Sequence, residues 1–143
     1  MIGDSTPRLV DVRTFTDPRG SLGVVEEDDL PFTILRVYYL FDVPLGAVRG
    51  EHGHKTLQQL LICMHGVCEV VLNDGSRRYN FVLETPAKGL YVPPGMWRRL
   101  DFRAPETVCC VLASKPYDRD DYLFTFEDFR AWVEAKRDNG IPT

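Results

Sequence analysis

Two of the three histidines in the chain, His52 and His54, are separated by a single residue. On an extended segment that spacing turns both imidazoles to one face. Such a pair supports two kinds of chemistry: neutral rings bind divalent metals, and rings that titrate near neutral pH pass protons. The third histidine, His65, precedes Gly66 in a turn after an apolar run and reads as a solvated surface residue. Seventeen Lys and Arg residues are available to supply cations beside the pair. Neighbours on a strand face opposite ways, so only one of Arg98 and Arg99 can enter a site, and Lys55 is turned away from the face that His54 takes.

A histidine pair needs rigid elements to hold it, and most of the chain reads as strands. The runs at 9–15, 21–27, 33–41, 57–64, 67–73, 77–83, 89–93 and 107–114 are short, rich in Val, Leu, Tyr and Phe, and divided by turn residues. Their spacing predicts an all-β sandwich or barrel. His65-Gly66 and Asn73-Asp74-Gly75-Ser76 mark two successive reversals, for which an antiparallel meander is the economical reading. Pro93-Pro94-Gly95 stops the run at 89–93, and a loop is expected after it. Near the end the period changes: Phe129, Trp132 and Val133 form an apolar stripe that predicts one helix over about 126–138, packed on the core. Thr125, with Asp128 three residues on, suits its start, and Gly140 its end. No repeat, low-complexity tract or linker interrupts residues 1–143, so a single domain is expected.

Composition sets the outer limits. A chain that is 44% hydrophobic and 11% aromatic can build a core, which excludes a disordered protein. No stretch approaches the roughly 20 apolar residues of a membrane-spanning helix. The opening MIGDSTPRLV has no basic region followed by an apolar block, so no signal peptide is expected and a cytoplasmic location is the default. Cys63, Cys68, Cys109 and Cys110 form no CxxC pair and read as small core residues in a reducing compartment. Seventeen Lys and Arg against 21 Asp and Glu leave a net charge of −4, which argues against a nucleic-acid partner. An anionic ligand would have to rely on locally clustered cations.

Gly46, His52, His54, Gln59 and Gly66 stand at the spacing of the first cupin motif, with Gln59 where that motif has glutamate. Pro93-Pro94-Gly95 and then Arg98 resemble the second motif, with Arg98 in the place of its histidine. The chain thus resembles the cupin superfamily, which implies a jelly roll, or double-stranded β-helix, of two antiparallel sheets with the helix appended. In metal-dependent cupins the two histidines, the glutamate and the late histidine bind the ion. Gln59 is neutral here, and the Arg98 guanidinium only donates and repels a nearby cation. No metal is therefore expected, and the pair reads as acid/base machinery for an anionic or carbonyl-bearing small molecule.

A more specific similarity runs through PRGSL at 18–22, PFTILRVYYLFDV at 31–43, RGEHGHKTLQQLLICMHG at 49–66, GLYVPPGMW at 89–97 and VLASKPYDRDDYL at 111–123. Together these strings resemble the sugar nucleotide 3,4-ketoisomerases, a metal-free branch of the cupins. The resemblance implies a homodimer that converts dTDP-4-keto-6-deoxy-D-glucose to a 3-keto isomer without a cofactor, in deoxyamino-sugar biosynthesis. It implies His52 as the principal base and proton carrier, His54 as its partner, Arg49 as a support for His52 or the developing oxyanion, and Tyr38 as a hydroxyl donor. Arg19, Arg98, Gln59, Tyr91 and Trp97 are the expected substrate-binding residues, the two aromatics either stacking on thymine or simply packing. Arg19 and Arg98 are where the choice of C4 epimer should reside. Two neighbouring readings are 3,5-epimerase chemistry on the same sugars and a non-catalytic sugar-nucleotide-binding cupin.

Overall fold

Strand propensity and period-2 patterning are realised through most of the chain, and the computed structural model describes residues 6–139. In chain order the strands are β1 (Arg8–Asp11), β2 (Arg13–Asp17), β3 (Gly20–Val24), β4 (Arg36–Leu40), β5 (Val48–His54) and β6 (Gln59–His65). They continue with β7 (Cys68–Asn73), β8 (Arg78–Leu83), β9 (Lys88–Val92), β10 (Met96–Phe102), β11 (Val108–Ala113) and β12 (Tyr122–Leu123), and helix α1 spans Phe126–Asp138. One five-stranded sheet has the order β1-β9-β6-β11-β4 and the other β12-β5-β10-β7-β8, while β2 and β3 form a separate hairpin. All pairings are antiparallel. The expected all-β jelly roll of two sheets with a C-terminal helix is what forms.

The main core lies between the sheets. Leu61, Cys63, Leu90, Val92, Cys109 and Val111 of the first sheet meet Cys68, Val70, Leu72, Leu83, Met96, Leu100 and Phe102 of the second. Strand β6 is buried on both faces, because Leu60 and Ile62 join a second cluster with Val12, Phe32 and Tyr91 on the outer side of the first sheet. That double burial explains its nearly continuous apolar run. All four cysteines are buried and free, as their apolar neighbours imply.

Three expectations are corrected by the topology. The reversal at His65-Gly66 does not pair β6 with β7: the chain crosses there from one sheet to the other, and only β7 and β8 form the expected hairpin. No long loop follows Pro93-Pro94-Gly95, since β10 begins at Met96 after a tight turn in which the Gly95 amide donates to the His54 carbonyl. The charged residues Arg98, Arg99 and Asp101 disguise this central strand in the sequence. The run at 9–15 is divided between β1 and β2, because the Val12 amide turns aside to bond Ala87.

Helix α1 starts where expected, with the Thr125 hydroxyl accepting the Asp128 amide at 3.0 Å. Its expected stop at Gly140 lies outside the described residues. Phe129 is fully buried and presses on Gly53, the residue between the two histidines: a Cβ there would lie 2.9 Å from Phe129 Cδ1. The helix thereby backs the strand that carries the histidine pair.

Candidate active site

His52 and His54 share one face of β5, as their spacing predicts, and their Nε2 atoms lie 3.0 Å apart. The rings meet edge to face, with centroids 4.7 Å apart. Tyr122, paired with His54 across β12 and β5, leans on both rings at centroid distances of 4.9 and 4.5 Å. Burial, then the positive charge of Arg98, pushes the His52 pKa down to about 3. Burial and then Arg98, His52 and Arg36 push His54 down to about 2. Both rings are therefore neutral near pH 7, and within the shared bond one donates while the other accepts.

Arg98 stands opposite His52 in the β10–β5 register and is 2% exposed. Its Nη1 donates to Gln59 Oε1 at 3.0 Å and its Nη2 to the Tyr38 hydroxyl at 3.1 Å. Gln59 Nε2 donates to the same hydroxyl at 2.8 Å. Because a guanidinium can only donate, the Gln59 amide oxygen must face Arg98 and its NH2 must face Tyr38. Among the described residues both partners of the Tyr38 oxygen are donors, so the phenolic proton is left for something else. The carboxylate found at the Gln59 position in metal-binding cupins would instead accept that proton.

A cavity of about 300 Å3 opens beside these groups, lined by Arg36, Tyr38, Leu40, Arg49, Gly50, His52, Arg98 and Tyr122. Arg36, Tyr38 and Leu40 come from alternate positions of β4, as strand geometry requires. Arg49 is three residues from His52, and simple alternation would send it to the opposite face. The register between β5 and β10 slips by one residue, from Arg98 opposite His52 to Leu100 opposite Arg49, so a β-bulge at Gly50 and Glu51 restores Arg49 to the histidine face. Gly50 permits it: its φ is +68°, and a Cβ would sit 3.1 Å from Leu100 and 3.3 Å from Arg98. Three guanidinium groups thus border one cavity in a protein of net charge −4. The same field opposes a divalent cation at the histidine pair. Among the described residues no cluster of three His, Cys, Asp or Glu side chains is placed to hold a metal.

The expected catalytic residues His52, Tyr38 and Arg49 line this cavity, and His54 sits directly behind His52. Of the expected substrate-binding residues, Arg98 lines it and Gln59 does not, being 1% exposed and spent on holding Arg98 and Tyr38. Tyr91 does not line it, and of its two expected alternatives packing is the one seen: Leu90 and Val92 face the core, so Tyr91 turns outward, stacks on Phe32 and donates to Gln58 Oε1 at 2.7 Å. Trp97 does not line it either. It faces away from its neighbour Arg98 and packs on Phe126 and Phe129 of α1. Arg19 is not brought to the cavity of its own chain; it lies at the tip of the β2–β3 hairpin with its side chain 90% exposed and paired to Asp17 at 2.6 Å. Sequence reasoning missed Tyr122 as a wall of the site, and only its pairing with His54 reveals it.

Residues 5–134 match the family model described as FdtA: WxcM-like, C-terminal. The chain is 39% identical over 127 residues to a TDP-4-oxo-6-deoxy-alpha-D-glucose-3,4-oxoisomerase of Aneurinibacillus thermoaerophilus, covering 88% of this chain and 91% of that protein. A 3,4-ketoisomerase structure from Helicobacter canadensis superposes with a TM-score of 0.87 at 35% identity, covering 92% of this chain and 99% of that one. A histidine-to-asparagine variant of the 3,4-ketoisomerase QdtA from Thermoanaerobacterium thermosaccharolyticum, in complex with TDP-4-keto-6-deoxyglucose, superposes with a TM-score of 0.86 at 34% identity, covering 92% of this chain and 94% of that one.

Proposed function

The chain belongs to the FdtA, WxcM-like C-terminal family, and from that premise we propose that it is a 3,4-ketoisomerase that converts dTDP-4-keto-6-deoxyglucose to a 3-keto-6-deoxyhexose. The observation that carries this reading is the hydrogen-bonded pair His52 and His54 beside a Tyr38 hydroxyl whose proton is free to leave. Moving a carbonyl from C4 to C3 needs a base on carbon and a donor on oxygen. His52 takes the C3 proton, and the electron pair left behind forms the C3–C4 double bond of an enediol. Tyr38 gives its proton to O4 as the carbonyl electrons move onto that oxygen. The O3 proton then returns to the Tyr38 phenolate, the C3 carbonyl forms, and protonated His52 delivers its proton to C4. Hydrogen moves as protons throughout, so the net change is an isomerisation that leaves the enzyme unchanged. Positioned groups of this kind supply about 10²–10⁴ in rate.

Arg49 and Arg36 border the cavity and supply positive charge for a diphosphate, while Arg98 fixes the Tyr38 oxygen. A homodimer is part of the reading. Val37 and Tyr39 on the outer face of β4, and Phe41 just beyond it, expose apolar surface, as do Phe15 and Leu22 on the β2–β3 hairpin. A second copy covering them would give Arg19 a cavity to reach, which would reconcile its place with substrate binding. Four free, buried cysteines suit a cytoplasmic setting, and no helix among the described residues is long and apolar enough to cross a membrane.

Incubation with dTDP-4-keto-6-deoxyglucose in D2O, followed by NMR, tests the proposal. A 3-keto product carrying deuterium at C4 is the expected result. Deuterium at C5 with inversion would replace the reading with epimerase chemistry, and an unchanged spectrum with ligand bound would replace it with a binding role.

A further inference from the structure

Two imidazoles sharing one N–H···N bond can place the proton on either Nε2, and the choice decides which ring is the base. The structure holds a group on the far side of His54 that makes this choice. His54 Nδ1 is buried and has no hydrogen-bond partner among the described residues, and Asp121 Oδ2 lies 3.9 Å from it. Asp121 is itself 9% exposed and rigidly held: its carboxylate accepts the Thr56 amide at 2.9 Å, the Thr56 hydroxyl at 2.6 Å and the Leu57 amide at 3.2 Å. Its backbone is tied as well, since its carbonyl accepts the Lys55 amide at 3.0 Å. These bonds pin the carboxylate to the residues that directly follow His54.

We infer that Asp121 is a positioning residue that holds His54 as the Nδ1–H tautomer and so makes His52 the base. A bare Nδ1 lone pair facing a carboxylate in a buried site is repelled, whereas an Nδ1–H dipole aimed at it is attracted. With its proton on Nδ1, His54 has only a lone pair at Nε2 and must accept the bond from His52. His52 then carries its proton on Nε2, and its Nδ1, which has no protein partner among the described residues, is the bare nitrogen beside the cavity. When His52 gains a proton there, the new positive charge is felt through His54 by the fixed carboxylate, which partly offsets Arg98. A base oriented by a second group that is oriented by a third is a general arrangement for proton transfer. The inference rests on the ketoisomerase reading for its catalytic consequence, and not for the tautomer.

The tautomer is read directly by two-dimensional 15N–1H correlation of the imidazole nitrogens in the uniformly labelled wild-type protein near pH 8. His54 is expected as Nδ1–H and His52 as Nε2–H; the reverse assignment overturns the proposal without any variant. Asp121→Asn places an amide that can donate to His54 Nδ1, so the pair should reverse. That variant should lose about 10²-fold in kcat with little change in KM, while its affinity for TDP, measured by calorimetry, stays within twofold because Asp121 does not line the cavity. Unchanged kcat in a variant whose tautomers have reversed would overturn the catalytic consequence. Should wild type leave the sugar nucleotide unchanged, the ketoisomerase reading fails while the tautomer measurement still decides the role of Asp121.

Discussion

The Tyr38 oxygen accepts the Gln59 side-chain N–H at 2.8 Å, and this single polarity turns the phenol into a donor toward the cavity. With Arg98 also donating to it at 3.1 Å, the hydroxyl has no acceptor among the described residues for its own proton. Gln59→Glu reverses the relationship, since a carboxylate 1% exposed beside Arg98 accepts both the guanidinium and the phenolic proton. The variant should fold, bind TDP, and lose roughly 10²-fold in kcat. Steady-state kinetics with calorimetric binding measure this; full activity in the variant would refute the donor role of Tyr38.

His52→Asn keeps a polar side chain of similar reach and removes the base. Turnover should fall by about 10³-fold, within the range for a positioned acid or base, with TDP affinity preserved. Solvent deuterium should no longer enter at C3 or C4. Residual exchange at the wild-type rate would assign the base to another group.

Acid should unfold the protein earlier than its carboxylates alone require. His52 and His54 stay neutral in the folded state down to about pH 3 and 2, whereas in an unfolded chain each titrates near 6.5. Between those values the unfolded chain binds more protons, so stability is intact above about pH 6.5 and declines as pH falls toward the folded pKa values. Thermal melts between about pH 7 and 4.5, where most carboxylates remain ionised, should show a falling Tm in wild type and a flatter profile in His54→Asn. TDP should raise the His52 pKa, because its phosphates offset the charge of Arg98; a histidine titration followed by NMR with and without TDP reads the shift.

Gly53 has no room for a methyl group, since Phe129 and the Met96 carbonyl lie 2.9 and 3.3 Å from where its Cβ would be. Gly53→Ala should cost about 1–3 kcal/mol by overpacking, seen as a lower Tm. Gly53→Ala should also lower kcat by displacing the histidine strand, and combining it with Phe129→Leu should recover part of that activity, because the pressure on the strand is relieved. A Tm unchanged by Gly53→Ala would show that α1 does not brace the pair.

Much of this site was legible before any fold was known. The HxH spacing places two imidazoles on one face of any extended strand, and the Gln59 and Arg98 substitutions in the cupin pattern speak against metal ligation through their chemistry alone. Alternation also decides Trp97: once Arg98 faces the cavity, its neighbour Trp97 cannot, and Trp97 packs under α1 instead.

What the sequence by itself determined is therefore local: strand content, the helix over 126–138 with its Thr125 cap, and the common face of His52 and His54, all set by periodicity and bonding between near neighbours. The tertiary structure decided what depends on register and on distant segments. The bulge at Gly50 and Glu51 exists only against β10, and it turns Arg49 toward His52 where alternation would turn it away. Tyr91 faces outward because the core took Leu90 and Val92. Asp121 reaches the turn after His54 across a sequence separation of 65 residues to Thr56, a contact that no local pattern encodes and that only the folding of the last segment over β5 creates.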